Sequence, residues 1–180
     1  MPEPRKNIDT LRVLVDWKCN LSCSYCCNEI PEIRAGVRAA SLDSVEWDKY
    51  DVFCISGGEP TLFMNRVKAV CDRIPAGREI YFYTNGTMLS REYVKQLCEW
   101  GVGGINVGLH MPQTFKAIIR SVLINTGESD IAVRFHVQDI YKDHQAVAEM
   151  ETDVGFRFWK MDDCERENED RVVLQEADHA

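Results

Sequence analysis

The chain has no apolar run approaching the ~20 residues that a membrane span requires. Its first residues, Met1-Pro2-Glu3-Pro4-Arg5-Lys6-Asn7, lack the apolar core of a signal peptide. A cytoplasmic protein with no membrane partner is therefore expected. Positive charge is also scarce: 21 Lys and Arg face 29 Asp and Glu, a net charge of -8. That balance argues against nucleic acid as a partner, because a phosphate backbone calls for a basic footprint. No repeat and no internal linker divides the chain. Its 180 residues, 45% of them hydrophobic and 28% charged, suffice for one domain with its own core.

Cysteine is plentiful, with eight residues. In an intracellular chain that number favours metal binding over disulfides. Three of the eight stand together in Cys19-Asn20-Leu21-Ser22-Cys23-Ser24-Tyr25-Cys26. Zinc modules usually show two C-x2-C pairs, and no second pair exists here. Three thiolates without an obvious fourth can hold an iron–sulfur cluster and leave one iron open for chemistry.

Strand-like and helix-like stretches alternate. Leu11–Asp16, Val52–Ile55, Glu79–Tyr83, Gly104–Leu109, Ile131–Val137 and Gly155–Met161 read as six strands. Ser41–Lys49, Thr61–Ile74, Ser90–Trp100, Pro112–Asn125 and Asp143–Thr152 read as helices, with Ser41 and Ser90 as caps and Pro112 near a helix start. The pattern is that of α/β proteins with a parallel sheet and helical crossovers. Six units are too few to close a (β/α)8 barrel, so an open partial (β/α)6 barrel with six parallel strands fits. In such a barrel the chemistry sits at the C-terminal ends of the strands. Three segments fall there: the cysteine loop after the first strand, Ser56-Gly57-Gly58-Glu59-Pro60 after the second, and Thr84-Asn85-Gly86 after the third.

The C-x3-C-x2-C run with Tyr25 before its last cysteine, followed by Gly57-Gly58-Glu59-Pro60, resembles the radical S-adenosylmethionine (SAM) superfamily. The likeness covers roughly residues 10–161. It implies a core domain over residues 1–161 and an acidic C-terminal tail over 162–180. It implies a [4Fe–4S] cluster on Cys19, Cys23 and Cys26, with SAM chelated to the open iron. Tyr25 would pack near the SAM adenine, and Gly57, Gly58, Glu59 and Pro60 would meet the methionine amino group. The implied activity is reductive cleavage of SAM to a 5′-deoxyadenosyl radical, which takes hydrogen from a small-molecule or peptide substrate. An electron donor such as flavodoxin or ferredoxin is implied as a partner. A glycyl-radical activase acting on a partner protein is an alternative, faintly echoed by Cys26-Cys27-Asn28. A non-catalytic Fe–S protein for electron transfer or sensing is another. Neither the glycine-rich segment nor the Thr-Asn-Gly turn would be needed merely to hold a cluster.

The fourth strand departs from the family. Many relatives end it with Ser-x-Asp, which contacts the carboxylate and ribose of SAM; here Gly108 and His110 hold those positions. The glycine-rich fifth-strand pattern is also missing. Side-chain alternation points Tyr81, Tyr83 and Asn85 into the lumen, with Asn106 and His110 on the fourth strand and Arg134, His136 and Gln138 on the fifth. Together with SAM recognition by Asn85, Asn106, His110, Arg134 and His136, this describes a partly cationic pocket suited to a carboxylate or an anionic substrate.

The other cysteines are scattered. Cys71 and Cys98 fall in apolar helical patterns and are expected in the core. Cys54 is expected on the lumen side, Cys27 is not needed as a ligand, and Cys164 reads as a free thiol. A single cluster is expected. The acidic run Asp162, Asp163, Glu165, Glu167, Glu169 and Asp170 reads as a solvated tail, with a flap over the barrel or a docking segment as alternatives.

Overall fold

The computed structural model describes residues 9–150, 154–160 and 169–175. All eight of the described strands lie in one parallel sheet: β1 (Thr10–Leu14), β2 (Arg38–Ala40), β3 (Val52–Ser56), β4 (Glu79–Thr84), β5 (Gly104–Leu109), β6 (Ala132–Gln138), β7 (Gly155–Trp159) and β8 (Glu169–Leu174). Their spatial order is β2-β8-β1-β3-β4-β5-β6-β7, and every pairing is parallel. The fold is the expected open α/β barrel, and all six expected strands are in it. Two further strands extend its first edge.

The helices are α1 (Pro31–Ala35), α2 (Met64–Cys71), α3 (Arg91–Glu99), α4 (Phe115–Thr126) and α5 (Gln145–Ala148). Ser90 caps α3 by accepting from the Tyr93 N–H at 3.2 Å. The expected helix over Ser41–Lys49 is instead two 3-10 turns, Leu42–Ser44 and Trp47–Lys49. A capping box between Ser41 and Ser44 starts the first of them, and Val45 ends it by taking extended backbone (φ -89°, ψ 130°).

Alternation along the strands decides what is buried where. Leu11, Val13, Phe53, Ile55, Phe82, Val107 and Phe135 face the helices and are buried with Val67, Val70, Leu97, Ile119 and Val122. The opposite face carries Arg12, Tyr83, Asn106, Gly108 and His136.

Two expectations from the pattern change here. Cys98 is exposed on α3, because Val94 and Leu97 take that helix's buried stripe; Cys71 is buried as expected. Part of the expected acidic tail is β8, inserted between β1 and β2. Its Val172 and Leu174 are buried and its Glu169 lies over Arg12, so the charges on this strand have a partner rather than solvent. Cys164 and residues 162–168 lie outside the described residues.

Candidate functional site

A cavity of about 650 Å³ opens at the C-terminal ends of the strands, within the size range of small-molecule sites. Its wall includes Cys19, Cys23, Tyr25 and Cys26 from the loop after β1, Gly57 and Gly58 after β3, and Asn85 after β4. Asn106 and His110 of β5 and its end, His136 of β6 and Trp159 of β7 complete it. Most of the expected site residues are thus brought together.

The cysteine loop is strapped to the segment after β3. Gly58 N–H donates to the Asp16 carbonyl at 2.8 Å, and Glu59 N–H donates to the Lys18 carbonyl at 2.8 Å. A Cβ on Gly58 would stand 2.1 Å from the Lys18 oxygen, and one on Gly57 would stand 2.5 Å from the Asp16 oxygen, so only glycine permits this approach. Asp16 further accepts from the Lys18 N–H at 2.8 Å and pairs with Arg66 of α2 at 2.5 Å. The entry to the cysteine loop is therefore fixed from both sides.

Glu59 and Pro60 do not line the cavity. Glu59 is 1% exposed and turns away from it, accepting from Thr61 N–H (3.1 Å), Thr61 Oγ1 (2.6 Å), Thr84 Oγ1 (2.7 Å) and Asn85 N–H (2.7 Å). Its carboxylate shapes the Thr84-Asn85-Gly86 turn. Arg134 also leaves the expected set. It shares the lumen face with His136 but sits one pleat nearer the opposite mouth, where it is exposed and off the cavity wall.

The three thiols differ in surroundings. Cys19 is exposed, while Cys23 and Cys26 are partly buried. Burial pushes the Cys23 thiol up, as do Cys26 and Cys19 beside it; burial likewise pushes up Cys26. Cys23 and Cys26 are therefore neutral thiols at neutral pH, and a metal bound to them would displace their protons. Among the described residues no three His, Cys, Asp or Glu side chains converge on a single ion. Cys27 is disulfide-bonded and offers no free thiol.

Tyr25 of the cysteine loop lies 6.0 Å from the His110 ring and 6.1 Å from that of Trp159. Burial pushes the Tyr25 phenol up, so its O–H remains a donor, and it donates to the His110 carbonyl. Burial pushes His110 down, which keeps its ring neutral, and its Nδ1 is buried with no hydrogen-bond partner among the described residues. The ring folds back over Gly108: a Cβ there would stand 2.4 Å from His110 Nε2. His110 thus occupies the space that a side chain at position 108 would need. Asn106 Oδ1 and His136 Nε2 are 2.9 Å apart.

Two residues escaped the sequence reading. Glu169 and Arg171 of β8 line the cavity beside Arg12. Arg12 donates to both Glu169 oxygens, at 2.7 and 3.0 Å, and its guanidinium lies 4.3 Å from the centre of the Tyr83 ring. Burial works against the charge on Arg12, but the attraction and hydrogen bonds of Glu169 hold its pKa above the ordinary value. Alternation alone would have placed Arg12 in the lumen; nothing in the acidic run around Glu169 marked it as a strand.

The residues present fit a cluster with SAM. Three thiols of one loop, the backbone of Gly57 and Gly58, and the rings of Tyr25, His110 and Trp159 line the same cavity.

Comparison with known proteins agrees. The family model described as "Radical SAM superfamily" matches residues 18–134, more than half of the chain. GTP 3',8-cyclase of Crocosphaera subtropica is 31% identical over 126 residues, which cover 62% of this chain and 37% of that protein. The probable GTP 3',8-cyclase of Methanopyrus kandleri is 28% identical over 115 residues, covering 58% of this chain and 35% of its own. The chain thus spans little more than a third of the length of these curated relatives. Coproporphyrinogen III oxidase of Escherichia coli, a radical SAM enzyme, shares the fold with a TM-score of 0.57. Its identity is 11%, and the likeness covers 94% of this chain and 45% of that one.

Proposed function

Because the chain belongs to the radical SAM superfamily, whose cofactors are a [4Fe–4S] cluster and SAM, we propose that it is a radical SAM enzyme acting on a small-molecule or peptide substrate. The observation that carries this reading is the convergence of Cys19, Cys23, Cys26, Gly57, Gly58, Tyr25 and His110 on one cavity. When bound, the cluster and SAM supply reductive cleavage to a 5′-deoxyadenosyl radical that takes a hydrogen atom from the substrate.

The chain's own residues bind, orient and shield. Cys19, Cys23 and Cys26 hold the cluster. Carbonyls of the Gly57–Gly58 backbone accept from the methionine ammonium. Tyr25 and Trp159 would stand by the adenine, and neutral His110 would serve in place of the family's aspartate toward the ribose, its ring turning to bring Nδ1 out of its buried position. Asn106 and His136 line the route inward. Arg12 and Arg171 hold Glu169 in the lumen wall, an ion-paired patch beside which polar groups of a substrate would lie. The electron comes from a one-electron donor such as flavodoxin or ferredoxin.

The test is anaerobic reconstitution with iron and sulfide, reduction, and measurement of deoxyadenosine. The reading expects SAM-dependent deoxyadenosine, accelerated by the right compound from a panel that includes GTP, the nucleotide in the relatives' name. A fully loaded, reducible cluster that yields no deoxyadenosine would point to electron transfer or sensing instead.

A further inference from the structure

Glu59 is buried and saturated, and one of its four donors is the backbone N–H of Asn85. That bond fixes Asn85 at the cavity rim. The amide orientation is fixed as well. Its Oδ1 accepts from Thr87 N–H at 3.0 Å and Thr87 Oγ1 at 2.6 Å, so its Nδ2 must face the cysteine loop. There the nitrogen donates to Asn20 Oδ1 at 2.7 Å and lies 3.8 Å from Cys19 Sγ. Asn20 is tied back in turn, its own amide donating to Thr87 Oγ1 at 2.8 Å. Backbone also reaches this sulfur, with Leu21 N–H at 3.4 Å. The side-chain donor is the one that substitution can remove.

We propose that Asn85, held by Glu59, is a positioning residue that raises the reduction potential of the cluster through its N–H contact with the Cys19 sulfur. The proposal rests on the cluster reading above and goes beyond it. Hydrogen bonds to ligand sulfurs are among the levers that set Fe–S potentials. The amide hydrogen carries partial positive charge, so it stabilises the reduced, more negative cluster over the oxidised one. The step is the transfer of one electron from an external reductant to the cluster, with no bond made or broken and no proton moved.

The experiment is a dithionite redox titration, followed by the electron paramagnetic resonance of the reduced cluster without SAM. It is run on anaerobically reconstituted wild type, Asn85→Leu, Asn85→Asp and Glu59→Gln, each with iron and sulfide counted. Asn85→Leu removes the donor. Asn85→Asp keeps the oxygen for Thr87 but replaces the donor with negative charge. Glu59→Gln loosens Asn85 but also disturbs Thr61 and Thr84 and removes a buried negative charge, which alone moves the midpoint to more positive potential, so its iron content and not its midpoint is compared. The expected result is near-wild-type iron content in all three variants, with midpoints shifted to more negative potential in both Asn85 variants and more in Asn85→Asp. Unchanged midpoints in both Asn85 variants overturn the proposal. So does loss of iron in both, because a residue that tunes a cluster must leave it able to form. A wild type that holds no cluster defeats the functional reading itself, a different outcome from either.

Discussion

At the scale of the residue, the site separates groups that hold the cofactors from groups that set the holders in place. Serine at Cys19, Cys23 or Cys26 is expected to abolish cluster assembly, while Cys27→Ser keeps it, since Cys27 offers no free thiol. Iron and sulfide analysis after reconstitution checks this, and an intact cluster in Cys23→Ser would overturn the ligand assignment. His110 is set apart by its orphaned Nδ1 and its neutral ring. His110→Ala is expected to weaken SAM binding by roughly 1–2 kcal/mol, the scale of a lost polar contact, with iron content unchanged. Equal affinities in a SAM titration would assign the ring to packing or to substrate. The same ring carries a pH signature. Its pKa is lowered by burial from 6.5, so below that pH the unfolded chain binds a proton that the fold resists. Stability attributable to this group is present above pH 6.5 and is lost as pH falls through the lowered value. Urea unfolding of His110→Gln should show a shallower loss over that window than wild type; identical slopes would mean that the ring protonates in the fold.

At the scale of the element, two contacts carry the architecture of the site. One is the strap between the loop after β3 and the lead into the cysteines. Gly58→Ala would force a Cβ to within 2.1 Å of the Lys18 oxygen, and both partners are backbone. Relief requires separation of the two loops, at a cost of roughly 1–3 kcal/mol or more. Thermal unfolding and iron content should both fall, and a variant that keeps both would show that the loops part freely. The other contact is β8 against β1. Glu169 is 5% exposed at its side chain and meets both Arg12 and Arg171. Glu169→Gln leaves buried guanidinium charge uncompensated, so it is expected to destabilise the fold by about 3–5 kcal/mol in urea. A change under about 0.5 kcal/mol, within the ordinary range for surface positions, would show that β8 is held by its backbone and by Val172 and Leu174 alone.

At the scale of the whole molecule, core and chemistry are segregated. The buried apolar cluster joins the outer faces of the strands to the helices and includes none of Cys19, Cys23 and Cys26. The fold is therefore expected not to depend on a cluster bound there, unlike small domains whose metal supplies the folding free energy. Protein stripped of iron by a chelator is expected to keep its far-ultraviolet circular dichroism and to unfold cooperatively in urea. Loss of secondary structure on chelation would mean that the cluster loop organises the barrel.

The sequence by itself determined the things that follow from local pattern. Alternation of apolar and polar residues marked six strands, placed Asn106, His110 and His136 toward the lumen, and put three loops at one end of the sheet. The spacing of Cys19, Cys23 and Cys26 before Gly57-Gly58-Glu59-Pro60 carried the superfamily, which the match over residues 18–134 bears out. Tertiary structure decided whatever depends on partners distant in the chain. Glu59 looked like a ligand in its motif, but burial against Thr61, Thr84 and Asn85 makes it a scaffold for the next loop. Arg134 alternates correctly yet misses the cavity, because alternation sets the face of a strand and not the depth along it. Glu169 sits in a run of acids that reads as solvated. Only the insertion of β8 beside β1, 157 residues away in sequence, supplies the buried arginine that makes a charge there favourable.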